Sequence, residues 1–172
     1  VQGEGEWMDL EFIEQVEALQ VLKRWQQTLP PGLLLMEAYE VPVSGQSLSQ
    51  QLEAARWSFE LKTQAGDPSI SLDQWRQVVD DLLSRDTLVW DDTDKKGRPR
   101  QRDCRPALET LEIVAPVDGA AESGVTLECF AHIDDQGRSL KPAQLQHWLS
   151  EGFEQSLHLH NVRRLELRLV RC

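Results

Sequence analysis

"SISLDQWRQVVDDLLSRD", residues 69–86, sets Trp75, Val78, Val79, Leu82 and Leu83 at i, i+3, i+4, i+7 and i+8. That spacing makes one apolar stripe on an α-helix, and Ser71 or Asp73 stands where an N-cap belongs. An amphipathic helix with one face on a core is therefore predicted. What flanks it decides the kind of core. Before it, Arg56 to Lys62 place Trp57, Phe59 and Leu61 on one face, the period of a half-buried strand. After it, "TLVWDDTDKKGRPRQRDC", residues 87–104, predicts strand, turn and strand, with Lys95, Lys96 and Gly97 at the tip, where glycine adopts a positive φ at least cost.

The pattern continues past the break at Arg105-Pro106. Leu108, Leu111, Ile113 and Val114 predict a strand, residues 120–124 a loop, and Val125, Leu127, Cys129, Ala131 and Ile133 a strand of unbroken alternation. "DDQG" at 134–137 is a turn. Pro142 then opens a helix carrying Leu145, Trp148, Leu149 and Phe153 and ending near Gly152. Leu165, Leu167 and Leu169 close the chain on a strand. Towards the N-terminus, Met8, Leu10 and Phe12 alternate as a first strand, with Gly3 and Gly5 as turn residues before it. Gln15 to Thr28 form a helix stopped by Pro30, Pro31 and Gly32, and "LLLMEAYEVPV", residues 33–43, forms a second strand. Good helix formers in "SGQSLSQQLEAA", residues 44–55, predict a short helix.

Strands alternating with long helices, plus one hairpin, give an α+β fold: a mixed, largely antiparallel sheet with helices on one face, built from repeated βαβ (ferredoxin-like) units. A doubly wound parallel sheet is the alternative. Polar alternation in the first, seventh and last strands leaves one sheet face solvated and weighs against it. At 172 residues the chain has room for one sizeable core. It is read as a single compact domain, 1–172, or a fragment of a larger one, with sub-units at 1–63 and 64–172. Because it opens at Val1 without an initiator methionine, a missing N-terminal segment is expected.

No apolar run approaches the length of a membrane span, and no charged-then-apolar leader precedes the first strand, so a cytoplasmic protein is expected. Cys104, Cys129 and Cys172 match neither a disulfide framework nor a CxxC site. Cys129 sits in an apolar alternation as a small hydrophobe. Cys104 lies between Arg102 and Arg105, and a positive neighbourhood lowers a thiol pKa, so a thiol enzyme using Cys104 is one reading. His132, His147, His158 and His160 lack metal-site spacing, and only the last two share a strand face. Nucleophile elbows and phosphate-binding glycine loops are absent from the sequence. Neither a catalytic set nor a metal is predicted.

One cluster stands apart. Lys95, Lys96, Arg98, Arg100, Arg102 and Arg105 put six of the eighteen basic residues into eleven positions of a chain whose net charge is −11. From Lys96 to Arg102 they fall two apart, so on an extended strand four cations line one face. They suit phosphates or an acidic partner surface. An edge hairpin whose charges block edge-to-edge pairing is the plain alternative. RNA is a second candidate ligand, disfavoured by the acidic remainder of the chain.

"GEGEWMDLEF", then "LPPGLLLMEAYEVPVSGQSLSQQLEAARWSFEL", then "KKGRPRQRDCRPALETLEI", in this order, resemble the radical-SAM-linked protein family DUF2344. The family's "KKG…D-RP" pattern falls on Lys95, Lys96, Gly97, Asp103, Arg105 and Pro106, with extra arginine and proline before Asp103. The resemblance implies a domain that stands beside, or is fused to, a radical-SAM protein, in cis or in trans. It implies that a 4Fe-4S cluster and S-adenosylmethionine, and in some cases B12, belong to that associated region. This chain has no CxxxCxxC with which to hold a cluster. A non-catalytic accessory domain that recognises the enzyme's substrate is the expectation, with Lys95, Lys96, Arg98, Arg100, Arg102, Asp103 and Arg105 as its binding residues.

Overall fold

A computed structural model of the chain describes residues 2–93, 96–118, 123–134 and 137–170. In chain order its elements are β1 (Gln2–Gly3), α1 (Ala18–Gln26), α2 (Leu48–Gln51), β2 (Leu52–Thr63), α3 (Leu72–Ser84), β3 (Val89–Thr93), β4 (Pro99–Asp103), a 3-10 turn (Arg105–Ala107), β5 (Leu108–Asp118), β6 (Ser123–His132), α4 (Pro142–Phe153) and β7 (Leu157–Leu169). They divide into two units, Val1–Trp7 with Ser49–Cys172, and Met8–Leu48. The sequence boundary drawn after residue 63 falls inside the first of these.

The larger unit is built on a sheet of order β1-β7-β2-β6-β5. β2 runs antiparallel to both β6 and β7, and β5 antiparallel to β6. Hence β2 and β5 point the same way with β6 between them, and β6 and β7 point the same way with β2 between them. Each βαβ connection, through α3 and through α4, is thus split by an inserted strand. The α+β expectation holds. The four long strands are antiparallel to their neighbours, and only two-residue β1 pairs in parallel, at Arg163 and Arg164.

Alternation puts one face of this sheet against both long helices. Ala55, Trp57, Phe59 and Leu61 of β2 and Val125, Leu127, Cys129 and Ala131 of β6 are buried in one cluster with Trp75, Val79 and Leu82 of α3 and Leu145, Trp148 and Leu149 of α4. Each fully buried large side chain here contributes about 1.5–3 kcal/mol. α3 begins where predicted: the Ser71 hydroxyl accepts from Gln74 N–H, and the Gln74 side chain accepts from Ser71 N–H, a reciprocal capping box. The Phe153 ring meets Trp75 edge-on, with centroids 4.6 Å apart, and ties the two helices together. Gly124 sits where a Cβ would come within 2.5 Å of the Leu61 carbonyl, so only glycine lets β6 approach β2 at that end.

Several expected elements differ. Leu52–Ala55 is strand, not helix, because Ala54 and Ala55 are buried between β6 and β7 and small side chains fit that packing; pairing outweighs their helix propensity. β7 starts at Leu157, eight residues before the predicted Leu165. Register shifts opposite β2 and a left-handed Asn161 (φ 46°) break its period-two pattern and hide it from alternation.

In the smaller unit, α1 is shorter than predicted, and neither Met8–Phe12 nor residues 33–43 is assigned to a strand. None of its residues is buried. Gln26 of α1 accepts from Leu35 N–H at 2.9 Å and donates to the Leu33 carbonyl at 3.4 Å, holding the following segment alongside the helix. No described helix is long and apolar enough to cross a membrane.

Candidate binding hairpin

β3 and β4 form a two-stranded sheet of their own, pairing Trp90 with Arg102 and Asp92 with Arg100. Alternation sorts the side chains. Val89, Asp91, Thr93, Pro99, Gln101 and Asp103 are exposed, whereas Trp90, Asp92, Arg100 and Arg102 are half-buried. This second face turns towards α4. The Trp90 ring stands edge-on to Trp148 at 6.0 Å and to His147 at 5.4 Å, and Trp148 Nε1 donates to the Val89 carbonyl at 3.2 Å. Gly97 holds a positive φ of 75° in the connecting turn, as predicted.

The four-cation face does not form as expected. Lys96 and Arg98 lie exposed in the turn rather than on β4, leaving Arg100 and Arg102 as the two cations that share a strand face. Lys95 lies outside the described residues. Arg100 Nη2 reaches Asp92 Oδ2 at 3.2 Å. The Asp92 carboxyl is held below its ordinary value, first by the backbone N–H of Thr93 and then by the Arg100 hydrogen bond.

The charge of Arg102 also acts on Asp92, helping to hold that carboxyl down, and the Arg102 side chain hydrogen-bonds the Cys104 thiol. Among the described residues, the Nε atoms of Arg100 and Arg102 are buried and find no hydrogen-bond partner.

Asp103 and Arg105, predicted binding residues, are committed to the fold. Asp103 Oδ1 accepts from Leu88 N–H at 2.8 Å and from Arg105 N–H at 2.9 Å. These two bonds, that of Arg105 the larger, lower its pKa. The Arg105 guanidinium donates to the carbonyls of Leu83 (2.9 Å), Arg85 (3.1 Å) and Leu108 (2.9 Å). It thereby satisfies the carbonyl end of α3 and fixes the start of β5. Pro106 fits the first turn of the 3-10 helix, where a missing N–H costs nothing.

Cys104 is buried, and Gln144 Nε2 lies 3.7 Å from its sulfur. Burial pushes its thiol up, outweighing Arg102, which acts the other way. The direction is opposite to the one predicted from the flanking arginines. Cys129 is pushed up to about 12 by burial. Neither thiol is poised as a thiolate ligand, and no group of three or more His, Cys, Asp or Glu side chains converges among the described residues. These residues do not fit an iron–sulfur cluster. His132 pairs with Glu109 at 3.0 Å and His147 with Glu151 at 3.2 Å.

Sequence reasoning missed a second surface, the sheet face away from the helices. A groove of about 560 Å³ runs past Ser58, Glu60, Thr126, Asn161 and Arg163. Another, of about 180 Å³, is lined by Arg56, Glu112, Glu128, Phe130, Glu166 and Arg168. Its charges answer one another: Arg56 meets Glu128 at 2.6 Å, and Arg168 covers the Phe130 ring at 4.2 Å. The signal in the sequence was the polar half of each alternation, which names a solvated face without saying what collects there.

A family profile described as "Uncharacterized protein conserved in bacteria (DUF2344)" matches residues 1–142. The chain belongs to the DUF2344 family. No curated protein matches it. Of the DUF2344 pattern quoted above, Gly97, Asp103, Arg105 and Pro106 shape the hairpin and its exit. Of the remaining basic residues of the hairpin, Lys96 and Arg98 are exposed in the turn and Arg100 and Arg102 are half-buried on β4.

Proposed function

We propose that this DUF2344 chain is a non-catalytic accessory domain that works with a radical-SAM protein, in cis or in trans, in the cytoplasm, and recognises that enzyme's substrate. Cluster, S-adenosylmethionine and any B12 belong to the partner region. The observation that carries the reading is the β3–β4 hairpin: a separate two-stranded sheet bearing a basic turn, in a chain of net charge −11. A local positive patch on an acidic body favours one acidic surface over general polyanion binding. The body behind it is taken as a ferredoxin-like scaffold that holds the hairpin in place.

The test is co-purification of the whole chain with the radical-SAM region encoded beside it, repeated with K96E/R98E. Retention by the wild type and loss in the variant support docking through the turn. Equal retention moves docking elsewhere. RNA binding that falls with salt and with the same substitutions supports the RNA-module reading instead. Catalysis by the isolated chain that vanishes in Cys104→Ser supports the thiol-enzyme reading.

A further inference from the structure

We infer that the Met8–Leu48 unit is a docking site for one β-strand supplied from outside residues 1–172, a strand in which lysine or arginine alternates with apolar residues. Among the described residues fourteen large apolar side chains are exposed, and eleven of them belong to this unit. Met36 is 77% and Val43 88% exposed. A unit that buries none of its residues while holding so many of these side chains has the kind of apolar surface that marks an interface.

The order of its segments says what kind of partner fits. Met8, Leu10 and Phe12 alternate with Asp9 and Glu11, α1 follows, and apolar residues return over 33–43. The strand–helix–strand order of the larger unit is thus repeated in the pattern of this one. In the larger unit each such connection holds another strand between its two strands. Here neither flanking segment belongs to a sheet among the described residues. An added strand would pair with their backbone and cover the exposed apolar rows, the mode in which a bound peptide extends a sheet.

Charge selects among strands. The unit holds six carboxylates, on Asp9, Glu11, Glu14, Glu17, Glu37 and Glu40, against two cations, Lys23 and Arg24, both on α1. Asp9 accepts from Leu48 N–H and Glu17 from Gln20, and among the described residues none of the six meets a cation. Segments 8–12 and 33–43 carry acid and no base, so a strand that sets cations opposite them is favoured over an acidic or neutral one. A second copy of this unit would instead set carboxylate against carboxylate. No residue of the basic hairpin takes part, so this site and docking through the turn fail separately.

The experiment pans a random nonapeptide phage library against the whole chain and, in parallel, against L10D/M36D. Enriched sequences are then synthesised and their Kd values measured by fluorescence anisotropy. Peptides alternating lysine or arginine with apolar residues are expected, with amide NMR shifts centred on 8–12 and 33–43. L10D/M36D and the charge variant E11K/E37K should each weaken them at least about tenfold. No enrichment, enriched peptides without that alternation, or equal Kd in both variants overturns the proposal. Dimers of the free chain in sedimentation, lost in L10D/M36D, assign the surface to a second copy and overturn it too. Because Leu10 and Met36 are exposed, L10D/M36D should unfold at the wild-type temperature; a lower one assigns these side chains to the unit's own packing and also overturns it.

Discussion

Arg105 Nη2 donates at 2.9 Å to the carbonyl of Leu83, twenty-two residues earlier in the chain. With its bonds to Arg85 and Leu108, this side chain joins the end of α3, the hairpin exit and the first residue of β5. A charged hydrogen bond contributes about 1.5–3 kcal/mol, and the three are not additive. Arg105→Ala is expected to lose about 2–4 kcal/mol in urea unfolding. Arg105→Lys, which reaches fewer carbonyls, should recover part of it. A loss within error of zero would show that these carbonyls are equally well satisfied by water.

Asp103 makes the hairpin exit sensitive to acid. Its carboxyl titrates lower in the folded chain than when free. Its contribution is therefore present above the unfolded value, about 3.9, and is lost as pH falls from there through the folded value. Asp103→Asn keeps an acceptor in place but cannot titrate. It should flatten the stability–pH curve below about pH 4 while leaving the neutral-pH fold intact. Unfolding curves of the two proteins at pH 7 and pH 3 test this, and parallel pH dependence would refute it.

The two buried thiols should be inert. With Cys129 pushed to about 12 and Cys104 raised in the same direction, iodoacetamide at pH 8 should label both at least about a hundredfold more slowly in the native chain than in urea. Peptide mapping by mass spectrometry reads each site. Rapid native labelling of Cys104 would restore it as a candidate nucleophile.

The capping box of α3 gives a local measurement. Ser71→Ala removes the acceptor for Gln74 N–H and should cost about 1 kcal/mol, whereas Ser71→Asn should cost little. Gly124→Ala tests packing instead of capping. Its Cβ would meet the Leu61 carbonyl at 2.5 Å, so separation of β6 from β2 and a loss of about 1–3 kcal/mol are expected.

Where a segment makes its own period visible, sequence and structure agree. The stripe of Trp75, Val79 and Leu82, the alternation from Val125 to Ala131 and the Gly97 turn each follow from spacing between near neighbours. Where a neighbour imposes the conformation, they part. Leu52–Ala55 has helical composition yet lies in the middle of the sheet, and the bulges of β7 scramble a period that only β2 could have revealed. At the hairpin, spacing located the basic cluster but treated its residues alike.

The sequence by itself determined the α+β class, the two long helices, the hairpin and the family, because all of these depend on order and local periodicity. Tertiary structure decided which strands are neighbours, and so produced the split βαβ arrangement. It also decided the separate duties of the basic residues. Arg105 locks carbonyl groups at the end of α3 and the start of β5, Asp103 holds the amides of Leu88 and Arg105, and Arg100 and Arg102 lie half-buried beside Asp92. Those duties depend on which backbone groups and charges the fold brings within reach, and spacing along the chain does not contain that distance.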